Sequence, residues 1–505
     1  MFLGIELGST RIKAVLIDHN HEVQATASHG WENQLVDGHW SYALDDVWSG
    51  LQSCVQGLAA SLANVTAMGV SAMMHGYLVF DSAGEQLVPF RTWRNTNAGP
   101  AAKELSGLFN FHLPRRWSTA HLYQAILNGE THVRDIAFMT TLAGYVHWQL
   151  TGQRVLGVGD ASGMFPINDN GNDYHAGMLS AFDALGKFHR PLREILPEVH
   201  MAGQAAGTLT QDGARLIDPT GQLQAGLPFC PPEGDAGTGM VATNSVTVRS
   251  GNISAGTSIF AMVVLEQAMQ TAFEEIDIVT TPAGKQVAMV HCNNCTSDID
   301  AWAGLFLQLT ALLGADIAKP DLYDALYAAA LEGEAACDGL LSYNFFSGEP
   351  MAGVDQGCPL LLRRPESQFT PANLMRSLVF SATASLRLGM DILAREQVQL
   401  DRITGHGGFF KSPGPQQLMA AALNTPVSVM ESAGEGGAWG IALLAAYFAQ
   451  KSDGETLENY LEQRVFATQK SLTVAPNEVD RQGFEAYMLR YKAGLSIARV
   501  AGELG

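Results

Sequence analysis

Glu233-Gly-Asp-Ala-Gly-Thr-Gly-Met240 and, a short way on, Gly251-Asn-Ile-Ser-Ala-Gly-Thr-Ser258 are the segments whose reading decides the fold. In the first, Asp235 sits between glycines and small residues, just after the apolar run Leu227-Pro-Phe-Cys230. Small neighbours leave room for a ligand and let backbone N–H groups approach it. The second segment runs into Ile259-Phe-Ala-Met-Val-Val264 and reads as strand, tight turn, strand, with Gly256, Thr257 and Ser258 at the bend. The chain opens on the same design: Phe2–Leu7, then Gly8-Ser9-Thr10, then Arg11–Asp18. Two hairpins with glycine and hydroxyl residues at the bend, one opening each half, predict a duplicated fold with phosphate held between the halves.

The totals set the frame. At 505 residues the chain has length for two or three domains, and 47% apolar with 16% charged residues describes a compact protein with substantial cores. The net charge is −20, from 50 acidic and 30 basic residues, which argues against nucleic acid or an anionic membrane as main partner. A nucleotide is still compatible, because backbone dipoles and a metal can make one pocket electropositive. The six cysteines form no disulfide framework, and the lone pair Cys292-Asn-Asn-Cys295 reads as two ordinary buried thiols. There is no basic segment leading into an apolar core at the start, and no uninterrupted apolar run approaches the roughly 18 residues of a membrane helix. A cytoplasmic location is expected.

Alternation predicts strands over 2–7, 11–18 and 22–28, a helix over 44–62 with Asp45 and Asp46 in its first turn, and strands over 65–72 and 77–80. Three strands, a helix and a strand make the order of an actin-like, ribonuclease-H-like domain. Residues 98–200 read as a mostly helical insertion. The second half restarts near Val246, and a long helix is predicted over 371–396, with Thr370 as N-cap and Pro371 first in the helix. Strand 402–404, the turn Gly405-His-Gly-Gly408, helix 415–423, strand 426–430 and helix 435–449 follow, and 455–503 read as terminal helices packed on the outside. The division expected is 1–245, 246–450 and a helical extension over 451–505.

The opening motif Glu6-Leu-Gly-Ser-Thr-Arg-Ile-Lys13 offers a strand-end carboxylate for Mg²⁺, a glycine to tighten the turn, and the Ser9 and Thr10 hydroxyls for phosphate oxygens. Lys13 adds charge there, or is an exposed strand residue. Phosphoryl transfer needs a positioned phosphate, metal to spread charge, and a base for the hydroxyl proton. Asp235 suits the base; its plainer alternative is the N-cap of a helix.

These motifs, together with Met74-His-Gly76, Trp93-Arg-Asn95, Asp160-Ala-Ser-Gly163, Phe346-Ser-Gly-Glu349, Gly407-Gly408 and Glu435…Ala438-Trp-Gly440, occur in the order of the FGGY carbohydrate kinases, which the chain resembles from residue 3 to about 447. Trp40-Ser…Asp45…Trp48 and the Met74 and Trp93 segments are nearer the xylulokinase pattern than that of glycerol kinases. The resemblance implies an α/β fold of two actin-like (ribonuclease-H-like) ATPase domains closing over ATP-Mg²⁺ and a sugar, with D-xylulose going to D-xylulose 5-phosphate. It implies Asp235 as general base and Met74, His75, Asp235 and Ala236 lining the sugar, with Trp93 and Asn95 close by. Glu6, Gly8, Ser9 and Thr10 would meet metal and phosphates from one side, and Gly256, Thr257 and Ser258 from the other. Gly407, Gly408 and Lys411 would lie along the adenosine. A homodimer is the family-level expectation, with sugar and ATP as the small-molecule partners.

The chain departs from the family at several positions. Glu6 stands where aspartate is usual, Ala236 where asparagine or serine follows the base, and Ile259 and Phe409 where the turns carry glycine. Tyr123-Gln-Ala replaces a lysine-centred signature. L-ribulose or another ketose is the rival substrate, and a sensor that binds sugar or nucleotide without turnover is the rival class. For His75 the plain alternative is a hydrogen-bonded core residue.

Overall fold

The computed structural model describes residues 1–430 and 436–504; Glu435, quoted above, lies outside them. The chain folds as two compact units that interleave in sequence: 1–246 with 277–287 and 434–468, and 247–276 with 288–433 and 469–505.

In the first unit, β1 (Phe2–Leu7), β2 (Arg11–Ile17) and β3 (Val23–Gly30) form an antiparallel meander. β4 (Ala67–Ala72) joins β1 in parallel, and the two-residue β5 (Glu233–Gly234) joins β4 in parallel, giving the order β5-β4-β1-β2-β3. β4 is buried throughout and β1 nearly so, as strands covered on both faces must be, while edge strand β3 alternates between exposed and half-buried. Helix Leu44–Gly57 covers one face with Val47, Leu51 and Val55, packed with Leu3, Ile5 and Val70. Helix Gly436–Gln450 packs on β1, β2 and β4.

Gly4 sets that second contact. A Cβ placed on it would stand 2.6 Å from the Ala442 backbone nitrogen and closer still to the Ala438 carbonyl, so helix and strand meet backbone to backbone. Gly4→Ala is expected to destabilise the unit by about 1–3 kcal/mol through overpacking. A lower urea midpoint reads this out; an unchanged midpoint would contradict it.

The stretch 98–200 is only partly a helical insertion. Phe138–Thr140 pairs with Leu78–Phe80, and Val155–Gly157 pairs with Glu198–His200. Helix Leu142–Thr151 places Leu142, Val146 and Leu150 in the unit's main core, so its apolar residues serve the sheet and not a separate bundle.

The second unit repeats the plan. β6 (Ser250–Ala255) and β7 (Ile259–Val264) form the predicted hairpin. β8 (Ile276–Thr280) falls almost wholly among the first unit's residues; with β9 (Gln286–Cys292), β10 (Arg402–His406), β11 (Val427–Met430) and β12 (Ser471–Val474) the second unit's sheet runs β9-β7-β6-β10-β11-β12. β10 is parallel to β6 and β11 to β10, as β4 and β5 follow β1 in the first unit. Helix Pro371–Arg395 begins as predicted, with the Thr370 hydroxyl accepting from the Asn373 N–H at 3.2 Å. It is the one described helix long and apolar enough to cross a membrane, but 72% of that apolar window is buried, which marks it as a core helix.

The C-terminal reading needs correction. Residues 451–468 group with the first unit, and Ser471–Val474 is an edge strand paired with β11. Helix Glu478–Gly502 sends Phe484, Tyr487 and Tyr491 into the second unit's core, against Phe380 and Tyr343. A linear cut at 450 cannot show this, because distant contacts decide where each segment docks.

Candidate active site

In the first unit, parallel strands bring their carboxyl ends together. Glu6 of β1 is in register with Lys13 of β2 and Ser71 of β4, and Ser71 is in register with Glu233 of β5. Asp235 follows at once as the first residue of helix Asp235–Ala242. The N-cap is Gly234, so capping is not the role of the Asp235 side chain. Its Oδ1 accepts from the Met74 N–H at 3.1 Å and the Ala236 N–H at 3.0 Å. Burial raises the Asp235 pKa, against the pull of the Met74 and Ala236 amides and of its own. A carboxylate fixed by one oxygen and made more basic by burial is suited to accept a proton.

The Glu6 Oε2 accepts from the Ala438 N–H at 3.1 Å, at the start of helix Gly436–Gln450. Burial, then the charge of Asp235, push Glu6 up to about 7, with Lys13 opposing. Each carboxylate lies in the other's field, so a cation beside them would relieve the repulsion. Among the described residues no three or more His, Cys, Asp or Glu side chains gather as a metal cage. The Glu6 carboxylate, completed by phosphate oxygens and water, nonetheless fits Mg²⁺, which is commonly held through one or two carboxylates.

The turn after β1 is braced by aromatic donors. Gly8 N–H donates to the Arg11 carbonyl at 3.0 Å, Trp31 Nε1 to the Gly8 carbonyl at 2.7 Å, and the Tyr42 hydroxyl to the Ser9 carbonyl at 2.5 Å. Trp93 Nε1 donates to the Ser9 Oγ at 3.2 Å, which joins the expected sugar-side tryptophan to the Gly8–Thr10 turn. The Thr10 carbonyl accepts from the Trp31 N–H at 3.3 Å. Asn95 stands apart: its Oδ1 accepts from the Trp40 N–H and its Nδ2 donates to the Trp40 carbonyl, each at 2.8 Å, so its amide braces strand 39–41. His75 is buried with φ at +69°, its ring parallel to Trp117, and its Nδ1 lies 3.0 Å from the Gly163 carbonyl. A carbonyl can only accept, so Nδ1 carries the proton.

The second unit builds the other group. In the turn Gly256–Ser258 the Gly256 N–H donates to the Ser258 carbonyl at 2.9 Å. Cys295 N–H donates to the Thr257 carbonyl at 2.9 Å and Thr296 N–H to the Gly256 carbonyl at 3.0 Å. The CxxC segment therefore buttresses this turn through its backbone, while both thiols are buried and pushed up by burial. Its Asn294 Oδ1 accepts from the Phe346 and Ser347 N–H groups at 2.9 and 3.0 Å, which ties in the Phe346-Ser-Gly-Glu349 motif. Pairing of Ser254 with His406 sets the Gly407 turn beside β6, with Gly407 at φ +101° and Gly408–Lys411 a single 3₁₀ turn. Phe409 is buried with its edge toward Tyr327 and Phe410, so this departure fills the core. Tyr123 likewise joins a polar cluster, its hydroxyl between Glu104 and Lys187.

Sequence reasoning passed over Glu233 and left Asp160 without a role. Both are buried, and burial raises both, with Glu233 raised further by Asp160 and Asp160 by Asp235. Only the Gly-flanked position of each acid hinted at this. The sign follows from linkage: unfolded, these carboxyls ionise near pH 4, whereas folded they keep their protons to higher pH. At these groups the folded state binds more protons in between, so their contribution to stability falls as pH rises from about 5 to about 8. Relative to wild type, the melting temperature of Asp160→Asn is expected to gain as pH rises over that range; equal slopes would contradict this.

Two ribonuclease-H-like units, one with Asp235 at a helix start and each with a braced hydroxyl turn, define a two-domain protein of the actin-like fold class. The family model described as the FGGY family of carbohydrate kinases, N-terminal domain, matches residues 1–240, and that of the C-terminal domain matches 251–449. The chain therefore belongs to the FGGY family and is a carbohydrate kinase. It is 23% identical to the xylulose kinase of Escherichia coli (strain K12) over 463 residues, covering 88% of this chain and 89% of that one. It is 22% identical to the xylulose kinase of Haemophilus influenzae over 521 residues, covering 98% and 99%. Solved structures share the fold: xylulose kinase from Rhodospirillum rubrum (TM-score 0.79, 18% identity, 98% of both chains) and gluconate kinase from Lactobacillus acidophilus (0.81, 16%, 100% of this chain and 99% of that one).

Proposed function

We propose that this carbohydrate kinase transfers the γ-phosphoryl group of ATP to the terminal hydroxyl of a ketopentose, D-xylulose first among them, with Asp235 as general base. The observation that carries the proposal is the anchoring of Asp235: the Met74 and Ala236 N–H groups both fall on Oδ1, which leaves Oδ2 to take the proton. The similarity to xylulose kinases over nearly the whole chain supports the choice of sugar.

In this reading Met74 and His75 hold the sugar so that its terminal hydroxyl faces Asp235. The raised pKa of Asp235 matches it to a proton released as the bond to phosphorus forms. The braced turns at Gly8–Thr10 and Gly256–Ser258 present N–H and hydroxyl donors to phosphate oxygens without having to reorganise. Gly407, Gly408 and Lys411 would flank the adenosine, with Lys13 adding positive charge near Glu6. Mg²⁺, held through Glu6 and neighbouring water, would supply charge neutralisation on the phosphates.

The test is ADP release from ATP-Mg²⁺ across a panel of ketoses, aldonates, polyols and glycerol, with Asp235→Ala as control. A D-xylulose-dependent signal that the control lacks is expected. Preference for L-ribulose or gluconate would replace the sugar, and sugar binding without any turnover would replace the class by a sensor.

A further inference from the structure

We infer that Glu233 is a positioning residue for the sugar: its carboxyl clamps the backbone of segment 157–163, and that segment orients His75. The inference rests on the sugar-kinase reading above. Glu233 is 1% exposed and lies two residues before the base. Its Oε2 accepts from the Asp160 N–H at 2.9 Å and its Oε1 from the Gly159 N–H at 3.3 Å, so one carboxyl gathers two successive amides. Beside it the Gly157 N–H donates to the Pro232 carbonyl at 2.8 Å.

The segment is shaped to that carboxyl. A Cβ on Gly159 would have three carboxyl atoms of Glu233 as its nearest neighbours, inside contact distance, so a side chain at 159 would displace the carboxyl from its two amides. Ser162 Oγ donates to the Gly159 carbonyl at 2.6 Å and accepts from the Thr280 N–H at 3.0 Å, which carries the restraint along the segment. At its far end the Gly163 carbonyl takes the His75 Nδ1 proton, and Gly163 packs directly on Met74 and His75. Holding the Nδ1 proton at the Gly163 carbonyl fixes the orientation of the His75 ring, which a sugar contact through that ring requires. A buried carboxyl is a poor way to fill a core, since an apolar side chain of similar volume serves packing as well or better. Its hold on two amides is what sets it apart.

The experiment compares the wild type with Glu233→Ala, Gly159→Ala and the double variant in the full chain. It measures KM for sugar, KM for ATP and amide hydrogen exchange of 157–163 in the protein alone. In Glu233→Ala the sugar KM is expected to rise about tenfold or more, with the ATP KM within about twofold of wild type, and exchange in 157–163 to speed up about tenfold. Gly159→Ala should show the same signature by expelling the carboxyl. Added to Glu233→Ala it should bring no further loss, because its methyl enters the space the carboxyl left.

Parallel rises in both KM values, faster exchange with an unmoved sugar KM, or additive effects would each overturn the inference. Should Glu233→Ala fail to melt cooperatively, Glu233→Asp, which draws the carboxyl back by about 1.5 Å, is judged by the same criteria. Absence of sugar-dependent ADP release from the wild type would remove the sugar-kinase reading and the inference with it. The outcomes above remove the inference alone.

Discussion

Asp235→Ala should lower kcat by about 10²–10⁴-fold, the usual contribution of a positioned general base, while the KM for ATP stays within about twofold. Truncation also removes the acceptor of the Met74 and Ala236 N–H groups, so loss of activity in this variant mixes chemistry with local structure. Asp235→Asn separates the two. Its side-chain oxygen can still accept from Met74 and Ala236, yet the amide cannot take up a proton at neutral pH. The expected result is a loss of the same order in Asp235→Asn, with a melting temperature close to wild type. Retention of more than about a tenth of wild-type kcat in Asp235→Asn would assign the proton to another acceptor, with Glu6 the first to examine.

The second large effect is on stability and lies away from this chemistry. Arg376, on helix Pro371–Arg395, is 1% exposed and ion-paired with Asp480 of helix Glu478–Gly502. Its Nη1 also lies 3.4, 3.3 and 3.1 Å from the carbonyls of Ala330, Leu331 and Gly333, and Gln417 Nε2 donates to the second Asp480 oxygen at 3.0 Å. Arg376→Ala leaves a buried carboxylate and several carbonyls without their cation. That is expected to cost about 3–5 kcal/mol, a fall of roughly 6–20 °C in melting temperature for a unit of this size. Removing both charges, as Arg376→Met with Asp480→Leu, should restore most of the loss, because the uncompensated charge is what destabilises. A single variant that melts within about 2 °C of wild type would show the pair to be energetically neutral.

The two effects concern parts of the molecule that were unequally visible in the sequence. Asp235 could be picked out because glycines and small residues isolate one acid after an apolar run. Arg376 and Asp480 could not, since a charge pair 104 residues apart leaves no local trace. Between them stand residues such as Asn95, expected beside the sugar with Trp93, whose amide the fold engages with the Trp40 backbone. Glu233 is a similar case: two residues before Asp235, yet informative only once Gly159 and Asp160 are seen to donate to it.

What the sequence determined by itself is local. Alternation and turn residues specify the hairpins at Gly8–Thr10 and Gly256–Ser258, and Thr370-Pro371 specifies the start of the long helix, because backbone preference and capping depend on neighbours in the chain. Family motifs spaced along the chain carried the kinase class. Tertiary structure alone decided that helix Gly436–Gln450 returns to the first unit across Gly4, and that Ser471–Val474 closes the edge of the second sheet. It also decided which carboxyls share one field. Each of these depends on shape and charge meeting across long separations, where burial and Coulomb interaction act through space and are not written in the order of residues.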